Sequence, residues 1–245
     1  MPEQKQSNPV AHWARQATRV DWFTRPEVVA DGSDVRLVGG SVNLCFNALD
    51  RHVVRGRADE LALVTDRRAY SYAQLLEQVA QLGGALRELG VRVGDPVLVV
   101  LPVGDERVIA LLACARVGAA YSAGSDLESG ASLDALSDAT KPKVVIGPAR
   151  PQGEHRPDYC VLFPEESSAT LGPFDIALRV LMRPGSFQPA ACAEVPATQP
   201  AEVADPEPVG RLAVRLAAES DEMHPGDDDR LLAVLIAGGT AHLRG

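Results

Sequence analysis

Five residues near the end of the chain, Gly238, Gly239, Thr240, Arg244 and Gly245, have the types and spacing of an anion-holding loop. Glycines let backbone N–H groups converge on one anion, a hydroxyl adds a donor, and an arginine adds positive charge. The apolar run 231–237 before them reads as a buried strand feeding that loop. As a phosphate cradle it is poorly furnished. Its one hydroxyl is Thr240, it has no lysine, and Ala241 and His242 interrupt the glycines. A strand with a fraying Gly-Gly tail accounts for the same residues without a ligand.

The run Asp50-Arg51-His52 invites comparison with a catalytic triad. Its simpler reading is a turn, fixed by side-chain to backbone hydrogen bonds just before a strand. The four cysteines, Cys45, Cys114, Cys160 and Cys192, are far apart and form no C-x-x-C pair. They support neither zinc nor a disulfide framework, and Cys45 and Cys114 read as small buried side chains. Asp221, Glu222, Asp227, Asp228 and Asp229 lack calcium-loop spacing and read as a solvated loop. His12, His155 and His224 are isolated. The sequence nominates no catalytic residue and no metal ligand.

A chain of 245 residues with 46% hydrophobic content has room for a substantial core. A formal charge of −9 argues against nucleic-acid binding, which needs a basic surface. The start carries no apolar signal stretch, and the longest uncharged apolar run is too short to cross a bilayer. A cytoplasmic protein without membrane attachment is expected.

Three regions position these residues. Residues 1–60 read as an opening segment packing on the body, with Trp13, Trp22 and Phe23 as large anchors. Residues 61–150 read as an α/β core. Leu61 to Val64 is a strand; Ser71 and Gln74 form a capping box opening a helix with Leu75, Leu76, Val79, Leu82, Leu86 and Leu89 on one face. Gly90 stops it, Val97 to Leu101 is a covered parallel strand, and Asp105 opens a helix that Gly118 ends. Another strand is predicted near residues 119–123, a helix after Ser129 or Ser132, and a strand at 143–147. Such alternation means a parallel sheet in αβα layers. Residues 151–245 read as less regular: a strand near Tyr159 to Phe163, a proline-rich arm over 184–208, a strand or short helix at Leu212 to Leu216, then the terminal strand and loop.

Several blocks occur in one order: Trp13; Asp21-Trp22-Phe23; Gly39-Gly40 with Asn43, Asn47, Leu49, Asp50, Arg51 and His52; Tyr70-Ser71-Tyr72; Leu89-Gly90-Val91 with Gly94-Asp95; and Leu111 to Ala119. Over residues 12–147 the chain resembles the N-terminal part of AMP-forming acetyl- and propionyl-CoA synthetases, members of the adenylate-forming superfamily. The resemblance implies a truncated acyl-CoA synthetase fold whose Asp50-Arg51-His52 region packs the opening segment on the body.

It also exposes two departures. Where the family has a glycine-bearing turn beside the coenzyme, this chain has Tyr121 to Ser129, with Asp126 and Glu128 placing negative charge near a polyanion. Where the family has Thr-Ser-Gly-Thr-Thr-Gly-Lys-Pro-Lys-Gly, this chain keeps only Gly238, Thr240, Gly245 and a basic residue at Arg244, with Gly239 standing at a threonine position. The family's later carboxylates and mobile-domain lysine are expected to have no counterpart here. The expectation is a non-catalytic relative acting as a binding or regulatory subunit, with a protein partner or as a homo-oligomer, Trp13, Trp22 and Phe23 being interface candidates. No cofactor is expected. The alternative is a split ligase completed by a second chain, for which ATP, AMP or CoA would be ligands.

Overall fold

Strand-forming runs of Val, Leu and Ile alternate with helices over residues 96–177 and assemble into a five-stranded parallel sheet. The computed structural model describes residues 9–32, 34–123, 132–163, 171–203, 207–218 and 228–243. Strands β6 (Pro96–Val99), β7 (Ala120–Ala123), β8 (Val144–Gly147), β9 (Tyr159–Leu162) and β10 (Asp175–Ala177) lie in the order β10-β9-β8-β6-β7. Because β7 and β8 flank β6 on opposite sides, the sheet reverses its winding there. The crevice beyond the carboxyl ends of such strands is where open α/β sheets bind ligands.

Side chains alternate across this sheet. Val97, Val99, Val144 and Ile146 join the main core, while Leu98, Val100, Val145 and Cys160 pack with Leu133 and Leu136 on the other face. Helices α3 (Tyr72–Glu88) and α4 (Asp105–Val117) belong to the main core, and α5 (Leu133–Thr140) carries Leu133 and Leu136. The αβα layering expected from the sequence is present.

The predicted capping box closes: Gln74 N–H donates to Ser71 Oγ at 3.2 Å, and Ser71 N–H donates to Gln74 Oε1 at 2.9 Å. Ser132 caps α5 by accepting from Ala135 N–H at 3.1 Å. Asp105 does not cap α4. Gly104 holds that position, and the Asp105 carboxylate accepts from Tyr70 Oη at 2.7 Å instead.

The last third departs most from expectation. Residues 231–237 are not a strand: α8 spans Asp228–Ala237. Leu and Ala are strong helix formers, Asp228 and Asp229 sit at the favourable end of the helix dipole, and Gly238 terminates it with φ +81°. Hence Asp228 and Asp229 belong to a helix and not to a solvated loop; Asp221, Glu222 and Asp227 lie outside the described residues. Residues 209–218 form a helix, α7 (Val209–Ala218), so of the two readings open there the helical one holds. Both helices bury apolar residues in the main core, among them Leu212, Leu216, Leu232, Leu235 and Ile236.

A sheet of three short strands completes the frame of the site. β12 (Ala241–His242) pairs in parallel with β4 (Leu61–Val64), and β4 pairs antiparallel with β5 (Ala69–Ser71). The proline-rich arm runs along β7, where Tyr121 N–H donates to Ala201 O at 3.1 Å and Val203 N–H donates to Tyr121 O at 3.1 Å. Among the described residues, no helix is long and apolar enough to cross a membrane.

Candidate functional site

The glycines and threonine nominated from the sequence follow the carboxyl end of α8, and their donors are bonded within the chain. Gly238 N–H donates to Leu235 O at 3.0 Å and Gly239 N–H to Val234 O at 2.9 Å. Thr240 Oγ1 donates to Leu61 O at 2.7 Å. Residues 241–242 are committed to the β4 ladder, and Leu243 N–H donates to Val64 O at 2.9 Å. Arg244 and Gly245 lie outside the described residues.

The carbonyls here meet a set of donors from the first third of the chain. Arg51 reaches Ile236 O. Arg57 Nη2 donates to Gly238 O at 2.5 Å, and Tyr72 Oη to Gly239 O at 2.8 Å. Two guanidinium groups therefore complement the negative end of the α8 dipole, where cations are favoured. Gly238 suits this place: its positive φ favours glycine, and an added Cβ would displace the Arg57 guanidinium.

His52 is sealed among these groups at 3% exposure. Its Nε2 lies 3.4 Å from Arg51 Nε, its Nδ1 lies 3.5 Å from Arg57 Nη1, and its ring packs on Tyr72 with centroids 4.9 Å apart. Burial first, then the charges of Arg51 and Arg57, push its pKa down to about 4. It is therefore neutral across the physiological range. Burial likewise pushes the Tyr72 hydroxyl up to about 12, leaving it a donor.

Asp50, Arg51 and His52 do not fix a turn before a strand. They lie on consecutive helical turns, the π-helical Phe46–Asp50 and α2 (Arg51–Val54). Asn47 exchanges hydrogen bonds with the Asp21 backbone at 2.8 and 2.9 Å, and Arg51 Nη1 donates to Arg19 O at 3.0 Å. These contacts dock the opening segment on the body. Asp50 faces the other way, paired with Arg116 at 2.8 Å.

Beside β12, on the side of α4, an open pocket of about 230 Å³ lies just past the carboxyl end of β6. Val103, Val108, Leu231 and Val234 give it apolar walls. Arg107 and Asp228 line it as an ion pair at 2.6 Å. Arg230 supplies a further guanidinium, whose buried Nη1 has no hydrogen-bond partner among the described residues. This is an apolar cleft with one cationic group in need of an acceptor.

Of the three interface candidates, two are anchored in the fold. Trp13 packs under the Arg211 guanidinium at 4.9 Å, and Trp22 Nε1 donates to Ala17 O at 2.8 Å. Phe23 remains 46% exposed and leans on Phe46, 5.5 Å away. Asp126 and Glu128 lie outside the described residues.

Residues 49–218, spanning the docking helices, the parallel sheet and α7, match the AMP-binding enzyme family. The chain belongs to that family. Within it, the chain is 40% identical over 144 residues to an acetyl-coenzyme A synthetase of Streptomyces avermitilis, covering 55% of this chain and 22% of that protein. It is 35% identical over 150 residues to the mitochondrial acyl-CoA synthetase short-chain family member 3 of Rattus norvegicus, covering 57% of this chain and 22% of that one. The chain thus matches about a fifth of the length of these curated relatives. Its fold superimposes on the acetoacetyl-CoA synthetase from Streptomyces lividans with a TM-score of 0.72 at 21% identity, covering 96% of this chain and 44% of that chain.

The sequence flagged Gly238, Gly239 and Thr240 by spacing, and the structure brings them together with Arg51 and His52. It adds Arg57 and Tyr72, which sequence reasoning missed because nothing local links them to the loop.

Proposed function

We propose that this AMP-binding family member is an acyl-CoA synthetase-like domain that acts as a binding or regulatory unit for a partner enzyme, and that its remnant loop does not hold a nucleotide triphosphate. One observation carries the reading: the loop's described hydroxyl and N–H donors named above are spent on Leu61, Leu235, Val234 and Val64. An incoming phosphate would approach the carboxyl end of α8, the wrong end of a helix for an anion. Arg51 and Arg57, the cations nearby, already serve carbonyls. A partner is supported by the sheet edge at β10, preceded by Leu171 and Phe174 at 47% and 57% exposure.

A second reading makes this chain the first part of an AMP-forming acid–thiol ligase completed by further polypeptide. The 40% identity to an acetyl-coenzyme A synthetase favours it. Reconstitution separates the two. The chain would be mixed with a short-chain acyl-CoA synthetase lacking the matching segment, and AMP release from ATP, acetate and CoA followed. The first reading predicts no AMP release beyond that of the truncated synthetase. Restored, chain-dependent release would overturn it in favour of the second.

A further inference from the structure

Two cysteines far apart in sequence share one polar cluster. Cys45 immediately precedes the π-helical turn, and Cys192 lies on an extended strap over residues 187–197. Hydrogen bonds hold the strap against α3 and α4: Ala190 N–H to Ala80 O at 2.8 Å, Ala193 N–H to Arg116 O at 2.8 Å, and Arg116 Nε to Ala190 O at 2.5 Å. Gly84 permits the approach, since a Cβ there would collide with the Gln188 carbonyl.

The two sulfurs and an Asp50 carboxylate oxygen all lie within 4.8 Å of one another. Arg116 Nη1 sits among them, 3.4 Å from Cys45 Sγ, 3.2 Å from Cys192 Sγ and 2.8 Å from Asp50 Oδ2. Such a trio resembles a set of metal ligands, but the guanidinium already supplies a fixed cation there, and Asp50 accepts both of its Nη groups. Two thiols held this close can instead join by sulfur exchange, with the guanidinium offsetting part of the cost of a Cys192 thiolate beside the Asp50 carboxylate, to which Cys192 Sγ donates at 3.5 Å. Accessibility orders the pair: Cys45 is fully buried, whereas Cys192 is half-buried.

We propose that Cys192 and Cys45 are a modification site that closes reversibly into a disulfide, Cys192 meeting a small disulfide oxidant such as glutathione disulfide. Cys192 loses its proton and attacks one oxidant sulfur; the oxidant's S–S bond breaks, and the departing thiolate takes up a proton. Cys45, losing its own proton, then attacks Cys192 Sγ, and the second small thiol leaves protonated. Two protein thiols are oxidised to one disulfide, and one small disulfide is reduced to two thiols. The sulfurs, now within 4.8 Å, close to about 2.05 Å by rotation at Cys192 and a small shift of the strap. The closed bond ties the strap to the helical turn that docks the opening segment. The hydrogen bond with Cys45, burial and the Asp50 carboxylate hold the Cys192 thiol above its ordinary pKa, with Arg116 opposing them, so the exchange quickens as pH rises.

The test is peptide mass spectrometry after equilibration of the folded chain in a glutathione redox series at mildly alkaline pH, with acid quenching and alkylation. A Cys45–Cys192 cross-linked peptide, two hydrogens lighter than the reduced pair and reversed by dithiothreitol, is expected. Cys45→Ser is expected to stop at a glutathione adduct on Cys192, and Cys192→Ala to leave Cys45 unmodified until the chain is unfolded. The proposal is overturned if wild-type protein keeps both thiols free or accumulates the adduct with Cys45 still alkylatable. Linkage of either residue to Cys114 or Cys160, or reaction of Cys45 in Cys192→Ala, would overturn it as well.

Discussion

The burial of His52 makes the stability of this domain depend on pH in a way one substitution isolates. The folded pKa is about 4, against an ordinary 6.5. A histidine whose pKa falls on folding binds its proton more tightly in the unfolded chain. Its contribution is therefore complete above pH 6.5 and is lost as pH falls from 6.5 towards 4. With about 1.36 kcal/mol per pKa unit, the loss between about pH 7.5 and about pH 4.5 is about 2.5 kcal/mol. Carboxylates titrate over the same range, so wild type is compared with His52→Gln, which keeps a polar side chain but cannot titrate. Urea denaturation of both proteins at the two pH values gives four free energies. The wild type is expected to lose about 2.5 kcal/mol more than the variant on acidification, whatever their absolute difference at neutral pH. Parallel losses would refute the sealed, neutral His52, as would an NMR titration placing its imidazole near 6.5.

Three further substitutions probe the same frame. Gly238→Ala places a side chain at φ +81° and against Arg57, and is expected to cost at least about 1–2 kcal/mol in urea denaturation. Leu235→Ala removes a fully buried side chain from α8 and is expected to cost about 2–5 kcal/mol; a loss near zero would mean that α8 is not packed. Arg116→Met leaves the Asp50 carboxylate without its cation and is expected to cost about 3–5 kcal/mol, much of it recovered in the double variant with Asp50→Asn.

Where a residue's role is set by neighbours a few positions away, the sequence was readable. Ser71 and Gln74 cap α3, Gly118 ends α4 at φ +79°, and the apolar Val97-Leu98-Val99 run becomes a strand covered on both faces. Residues 231–237 misled because an unbroken apolar run of Leu, Ala, Val and Ile has no contrast between faces, so strand and buried helix look alike. The deciding signals lay at its ends, the acidic first turn at Asp228 and the left-handed stop at Gly238. The remnant loop shows the same division. Its glycines were legible from spacing, but the groups that occupy its carbonyls come from Arg57 and Tyr72, 181 and 167 positions from their acceptors. Only the tertiary fold reveals that those carbonyls are taken. The Cys45–Cys192 meeting was invisible for the same reason.

The central claim is that the hydroxyl and N–H donors named for residues 238–243 are already spent on bonds within the chain and leave no seat for a triphosphate. Calorimetric titration of the folded chain with magnesium and ATP tests this most directly. The account predicts no saturable binding up to about 1 mM nucleotide, corresponding to less than about 4 kcal/mol of affinity. Micromolar binding, abolished by Thr240→Ala, would contradict it.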